Sequence, residues 1–202
     1  MALDTYTNLV ASIAAWAKRD DLTSVIPDLI VLAEERMNRD LRVTEMEVDG
    51  ALTCSTSVRT IALPTGFLAV RRAYLNVSPI INLSGKSADQ IESNYEQTAG
   101  RPKYYAVIAG NLQFERIPDS AYTIYINYYK KPTALSVSNA TNSVLTYYPS
   151  VYLYGCLVQT ATYSFDDDRV PLWERMYRDA VDMANSQAMH TRFGNALQVQ
   201  AV

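Results

Sequence analysis

Several residue groups in this 202-residue chain have the types and spacing to do chemistry. Ser84-Gly85-Lys86-Ser87 follows an apolar run and precedes a helical pattern, as the end of a phosphate-binding loop would. Such a loop needs a second glycine five residues before the Gly-Lys pair, so that its backbone can wrap the phosphates. Position 80 is Ile, a β-branched residue unsuited to positive φ. The competing reading is a turn and a capped helix, since Ser87 and Gln90 have capping-box spacing. Asp166-Asp167-Asp168 offers oxygen ligands to a divalent ion. Adjacent carboxylates diverge, however, and acidic residues at a helix start are stabilised by its free N–H groups and dipole. His190 is the only histidine, and no Gly-x-Ser-x-Gly elbow accompanies it. Glu34, Glu35, Glu45 and Glu47 would act as paired carboxylates only if folding brought them together; solvated helix and strand faces account for them better.

Metal and redox chemistry find little support. Cys54 and Cys156 are far apart, with no CxxC and no Cys/His cluster, so a one-chain zinc site is excluded. No disulfide is expected, and both cysteines read as small buried hydrophobes. Tyr122 to Lys131 interleaves aromatics with two terminal lysines, a pattern that can stack single-stranded nucleic acid. Against it stand a formal charge of −3 and the lack of a basic run. A tyrosine ladder at a subunit contact fits better. These residues predict no enzyme, no cofactor and no metal.

Composition narrows the class. Hydrophobic residues make up 49% and charged residues 19% of the chain, which excludes bulk disorder. No stretch approaches the roughly 20 apolar residues of a membrane span. The start lacks a basic signal-peptide region, so a cytosolic product is expected. Of 15 tyrosines, 13 lie at or after Tyr95, and 13 arginines outnumber 5 lysines. Tyr and Arg are enriched at protein interfaces and Lys is depleted there. The arginines are therefore expected to lie disproportionately in contacts with other chains.

The elements that must position these residues follow from hydrophobic period. Tyr6, Leu9, Val10, Ile13, Trp16 and Ala17 form one helical face within Asp4–Asp20. A second helix starts near Ser24, with Pro27 in its first turn and a face of Ile26, Leu29, Ile30, Ala33 and Met37. The middle reads as strands: Thr44–Thr53 broken by a turn at Asp49-Gly50, Val58–Leu63, Phe67–Val77 and Ile80–Leu83. A short helix, Ser87–Glu96, follows. Tyr104–Ala109 and Leu112–Arg116 flank a hairpin turn at Gly110-Asn111. In Ala121–Tyr129 strict alternation predicts one core face and one tyrosine face. Lys131–Thr146 reads as a long polar loop that orders on assembly. Helical period returns at Pro149–Phe165, with Val151, Tyr154, Leu157, Val158 and Ala161 on one face, and again after Asp168. The last helix carries Leu172 or Trp173, Met176, Tyr177, Ala180, Val181 and Ala184, with Met183 a core or partner contact, and Gly194 ends or breaks it.

The predicted fold class is α+β: a split four-helix bundle formed by the N- and C-terminal helices, with an inserted antiparallel β region. The predicted parts are a bundle from residues 1–42 and 147–190, a β-rich insertion at 43–131, a long loop at 132–146 and a C-terminal tail at 191–202.

Several segments together resemble the head-to-tail adaptor proteins of tailed bacteriophages, the group similar to tail tubular protein A. Ile26–Arg42, ending in Arg39-Asp-Leu-Arg42, resembles that family's second helix. Leu63-Pro-Thr-Gly-Phe-Leu68 followed by Arg71-Arg72 resembles its "Leu-Pro-x-Asp-Phe-Leu" strand start, with Gly66 in place of the acidic residue. Gly100–Ala106, Gly110-Asn111, Pro118-Asp119 and Tyr128–Pro132 follow its hairpin region. Tyr152-Leu-Tyr-Gly155, Asp166–Asp168 and Trp173 follow its C-terminal helices. The resemblance implies a structural virion protein of the neck, assembled in the host bacterial cytoplasm. Such adaptors form a dodecameric ring between the portal protein and the tail nozzle or tail tube protein and extend the channel for double-stranded DNA, which passes without specific binding. It implies portal anchors in the tail segment, namely Phe193, Leu197 and Val199. Tyr125, Tyr129, Arg71 and Arg72 are the expected subunit or tail interface. The alternatives are another head-completion or tail-completion (stopper) ring protein, or a phosphate- or nucleotide-binding protein built on Gly85-Lys86-Ser87.

Overall fold

Two hydrophobic periods alternate along the chain, and a computed structural model, which describes residues 3–164 and 168–193 (side chains of Asp20 and Phe193 excepted), sorts them into two units. In chain order the elements are α1 (Tyr6–Ala17), α2 (Ile26–Asp40), β1 (Glu47–Thr53), β2 (Thr60–Ala62), β3 (Phe67–Leu75), β4 (Ile81–Gly85), α3 (Ala88–Ser93), β5 (Tyr104–Ile108), β6 (Asn111–Phe114), β7 (Thr123–Lys130), α4 (Ser143–Tyr147), α5 (Pro149–Tyr163) and α6 (Val170–Phe193). The fold is α+β. One unit, Met1–Met46 with Pro132–Val202, carries the longer helices; the other, Glu47–Lys131, carries the strands.

In the helical unit, α1 starts where the Thr5 side chain accepts the Asn8 N–H, and α2 starts with Pro27 in its first turn. The predicted α2 face, Ile26, Leu29, Ile30, Ala33 and Met37, is buried. The predicted α5 stripe is incomplete. α5 packs against α1, α2, α4 and α6, so burial extends around most of its circumference. Tyr152 is buried, whereas Tyr154 is only half-buried. Gly155 permits this crowding: a Cβ there would stand 3.3 Å from the Tyr177 ring and 3.6 Å from Ala33. Residues 132–146 are not a free loop. Leu135, Val144 and Leu145 are buried, and the Asn142 side chain caps α4 by accepting the Leu145 N–H.

The β unit is a curled seven-stranded sheet in the order β1-β7-β3-β4-β5-β6-β2. It is antiparallel except at β4–β5, which pair in parallel, a departure from the all-antiparallel expectation. Two register shifts in β3 bend the sheet. Both halves then bury side chains in one core, with Leu75, Leu112, Phe114, Ile124 and Ile126 fully enclosed. Asp49-Gly50 is not a turn. β1 runs straight through it, and a Cβ on Gly50 would sit 3.3 Å from the Tyr128 ring, so glycine makes room for the core. The hairpin turn falls one residue earlier than expected, with Ala109 at φ 49 and Gly110 at φ 76.

Phe114→Ala should lower stability by about 3–5 kcal/mol in urea unfolding, because the cavity it leaves is fully enclosed. Val137→Ala, at a position 86% exposed, should stay within about 0.5 kcal/mol of wild type.

Candidate functional site

The phosphate-loop reading is corrected by local geometry. Gly85 lies in β4 opposite Tyr105, and the Lys86 N–H donates to the Tyr105 carbonyl. Ser87 caps α3: its hydroxyl accepts the Gln90 N–H while Gln90 Oε1 accepts the Ser87 N–H. The glycine is committed to the sheet and the serine to the helix, and Lys86 Nζ rests 5.2 Å over the Tyr104 ring. Asp166 and Asp167 lie outside the described residues; Asp168 is exposed ahead of α6. His190 is exposed in the last turn of α6. Among the described residues no group of three His, Cys, Asp or Glu is placed to hold a metal, and no helix is long and apolar enough to cross a membrane. Cys54 and Cys156 are buried free thiols, and burial pushes both pKa values up, away from the reactive thiolate.

The acidic residues behave differently from one another. Glu35 is solvated as expected, but Glu34 is buried at 7% exposure. Its Oε1 accepts the Leu135 N–H at 2.8 Å and the Tyr152 hydroxyl at 3.0 Å. Asn142 Nδ2 donates to Tyr152 Oη at 2.7 Å and to the Thr133 carbonyl at 2.8 Å. Burial, then the Glu34 charge, pushes the Tyr152 hydroxyl up. The Tyr148 hydroxyl donates to Glu45 at 3.0 Å and is pushed up to about 12, by burial first and Glu45 second. The void beside Glu34 is only about 10 Å³, which holds no substrate. This cluster fastens chain segments together. The sequence holds one signal for it: Glu34 falls in the buried row Ile30-Glu34-Met37-Leu41, where a carboxylate must find donors.

A second polar clamp joins α2 to α6. Arg36 makes two bonds to Glu174, at 2.8 and 2.7 Å, and lies 4.2 Å over the Tyr177 ring. Tyr177 in turn donates to Asp40 at 2.9 Å. The Arg36 bonds hold the Glu174 carboxyl down at about 2. Sequence reasoning missed Glu174, because nothing in its spacing ties it to a residue 138 positions away.

Apolar and aromatic groups remain at the surface. The helical unit carries a groove of about 370 Å³ between α5 and α6, lined by Tyr147, Tyr154, Met176 and Met183. Trp16, Trp173 and Tyr154 form an aromatic cluster with ring centroids about 6 Å apart. On the β unit, Tyr125 is 37% exposed and stacks on Tyr74 at 5.5 Å. Arg72 lies 4.9 Å over Tyr74 and donates to Asn82. Arg71 pairs with Glu47 at 3.2 Å, and Tyr129 is buried at 7% exposure. The fold thus gathers Tyr125 and Arg72 through Tyr74, and leaves Arg71 and Tyr129 to other neighbours. The Phe193 side chain, Leu197 and Val199 lie outside what is described. Not every arginine is kept for outside partners: Arg36, Arg59 and Arg116 are spent on ion pairs within the chain.

Residues 4–200 match the sequence family described as SU10 adaptor protein. No curated protein matches the chain.

Two outcomes follow from the clamps. Glu174 contributes stability that is fully present above the usual carboxylate pKa and lost as pH falls toward 2. Glu174→Gln should therefore flatten the acid limb of a stability-versus-pH curve and cost roughly 2–3 kcal/mol at neutral pH. Glu34→Ala strands the Leu135 N–H and should cost about 1–3 kcal/mol, with faster amide exchange at Leu135.

Proposed function

The chain belongs to the SU10 adaptor protein family, a family of phage head-to-tail adaptors, and on that premise we propose that it works as a ring between the portal protein and the tail. Its role as a structural adaptor of the virion neck follows from the family. The single observation that carries the reading is the extent of the match, 4–200, which takes in both units rather than one.

The finer assignments are ours. α1, α2, α5 and α6 act as a split four-helix bundle that builds a dodecameric ring. A ring needs a contact between two different patches that closes on itself, and the helical unit offers exposed apolar groups on more than one helix. The β unit faces the tail nozzle or tube, with Tyr125, Arg71 and Arg72 as contacts; Tyr129, buried at 7% exposure, is withdrawn from that set. Thr191 to Val202 reaches the portal, with Phe193, Leu197 and Val199 as anchors. The ring lines a channel for double-stranded DNA and does not grip it, since a chain of charge −3 has little phosphate affinity. Assembly takes place in the host bacterial cytoplasm.

Full-length chain should co-sediment with purified portal rings, and chain lacking Thr191 to Val202 should lose that binding by tenfold or more, which is about 1.4 kcal/mol. Undiminished binding by the truncated chain overturns the anchor assignment. Failure of the full chain to bind portal overturns the portal reading itself.

A further inference from the structure

Two exposed charge pairs on the helical unit are written in opposite order. On α2, Glu35 precedes Arg39 by four residues, and the two pair at 2.7 Å. On α6, Arg175 precedes Asp179 by the same four, with a loose contact at 3.9 Å. All four side chains are at least 60% exposed. Three residues before Glu35 stands Leu32, and three before Arg175 stands Leu172; they are 48% and 52% exposed, large values for leucine. Residues at i, i+3 and i+7 share one helix face. Each helix therefore presents a leucine, a charge and the opposite charge, in one row and with the same spacing. The opposite side of α2 is already taken by the core residues Ile26, Ile30, Ala33 and Met37, and that of α6 by Tyr177, Val181, Ala184 and Ala188.

We propose that α2 of one copy lies parallel to α6 of a second copy, with Leu32 on Leu172, Glu35 against Arg175 and Arg39 against Asp179. In this register all three rungs match at once. The antiparallel arrangement sets Glu35 against Asp179 and Arg39 against Arg175, so like charges oppose it and fix the direction of the contact. The matching rows are different surfaces of the same chain. Each copy then has one row left to offer and one to receive, which is the head-to-tail geometry that closes into a ring. The contact deepens the ring reading above and rests on it.

The test is charge exchange, read as the number of copies bound per portal ring by native mass spectrometry. Wild type, E35R/R39E, R175E/D179R and the fourfold variant are mixed with portal rings at equal concentration, and circular dichroism melting confirms that each is folded. Each double variant should assemble roughly tenfold more weakly than wild type, and the fourfold variant should recover most of that loss, because every rung is again opposite in charge. Double variants that assemble like wild type, or a fourfold variant no better than the doubles, overturn this contact while leaving the ring intact. A wild type that binds only as single copies overturns the ring reading and the contact with it.

Discussion

The bond from the Leu135 amide to Glu34 closes an excursion of 101 residues. The chain leaves the helical unit after α2, builds an entire β unit, and must return to the helix it left. Leu135, Val144 and Leu145 bury their side chains on the way back, but apolar burial has no direction and cannot by itself fix the register in which the segment lands. A buried carboxylate can, because it is costly unless donors reach it. Glu34 finds them in Leu135 and Tyr152, and Asn142 completes the cluster by bonding Tyr152 and capping α4. One polar requirement thus orients the return segment and the start of the C-terminal helices together.

With that closure made, α5 can be enclosed by α1, α2, α4 and α6, and Gly155 lets the neighbouring helices approach it. The Arg36–Glu174 clamp then ties α2 to α6 at the other side of the sequence insertion. Polar interactions are spent on fixing the chain's own geometry. Apolar and aromatic groups on α1, α2, α5 and α6 are left outside, as are the Tyr74–Tyr125 stack and Arg72 on the sheet. Aromatic residues and arginine are the types enriched where proteins meet.

Much of the fold was legible because hydrophobic period survives wherever an element has one buried face. α2 follows that rule, as does β7 from Ile124 to Tyr128, and the Ser87 capping box forms as its spacing predicts. Legibility failed where burial is not one-sided. α5 is buried almost all round, so its stripe pointed to Tyr154 when Tyr152 is the enclosed residue. Asp49-Gly50 has turn chemistry, yet the glycine serves the Tyr128 ring across the strand, a demand visible only once β1 and β7 are paired. The long polar segment at 132–146 looked loose because its anchors are hydrogen bonds to distant residues. Alternation set Tyr125 and Tyr129 on one outward face of β7, yet Tyr125 is exposed and Tyr129 is buried, so the period breaks at the strand's end. Arginine was likewise too versatile: some arginines face outward, and others, such as Arg36, organise the interior.

The ring proposed for this neck adaptor has a direct signature. Electron microscopy of the full-length chain mixed with portal rings tests it most directly. An added ring of density beneath the portal, coaxial with it and with an open channel, is the expected result. Portal particles that carry no added ring at saturating concentrations of the chain would contradict it.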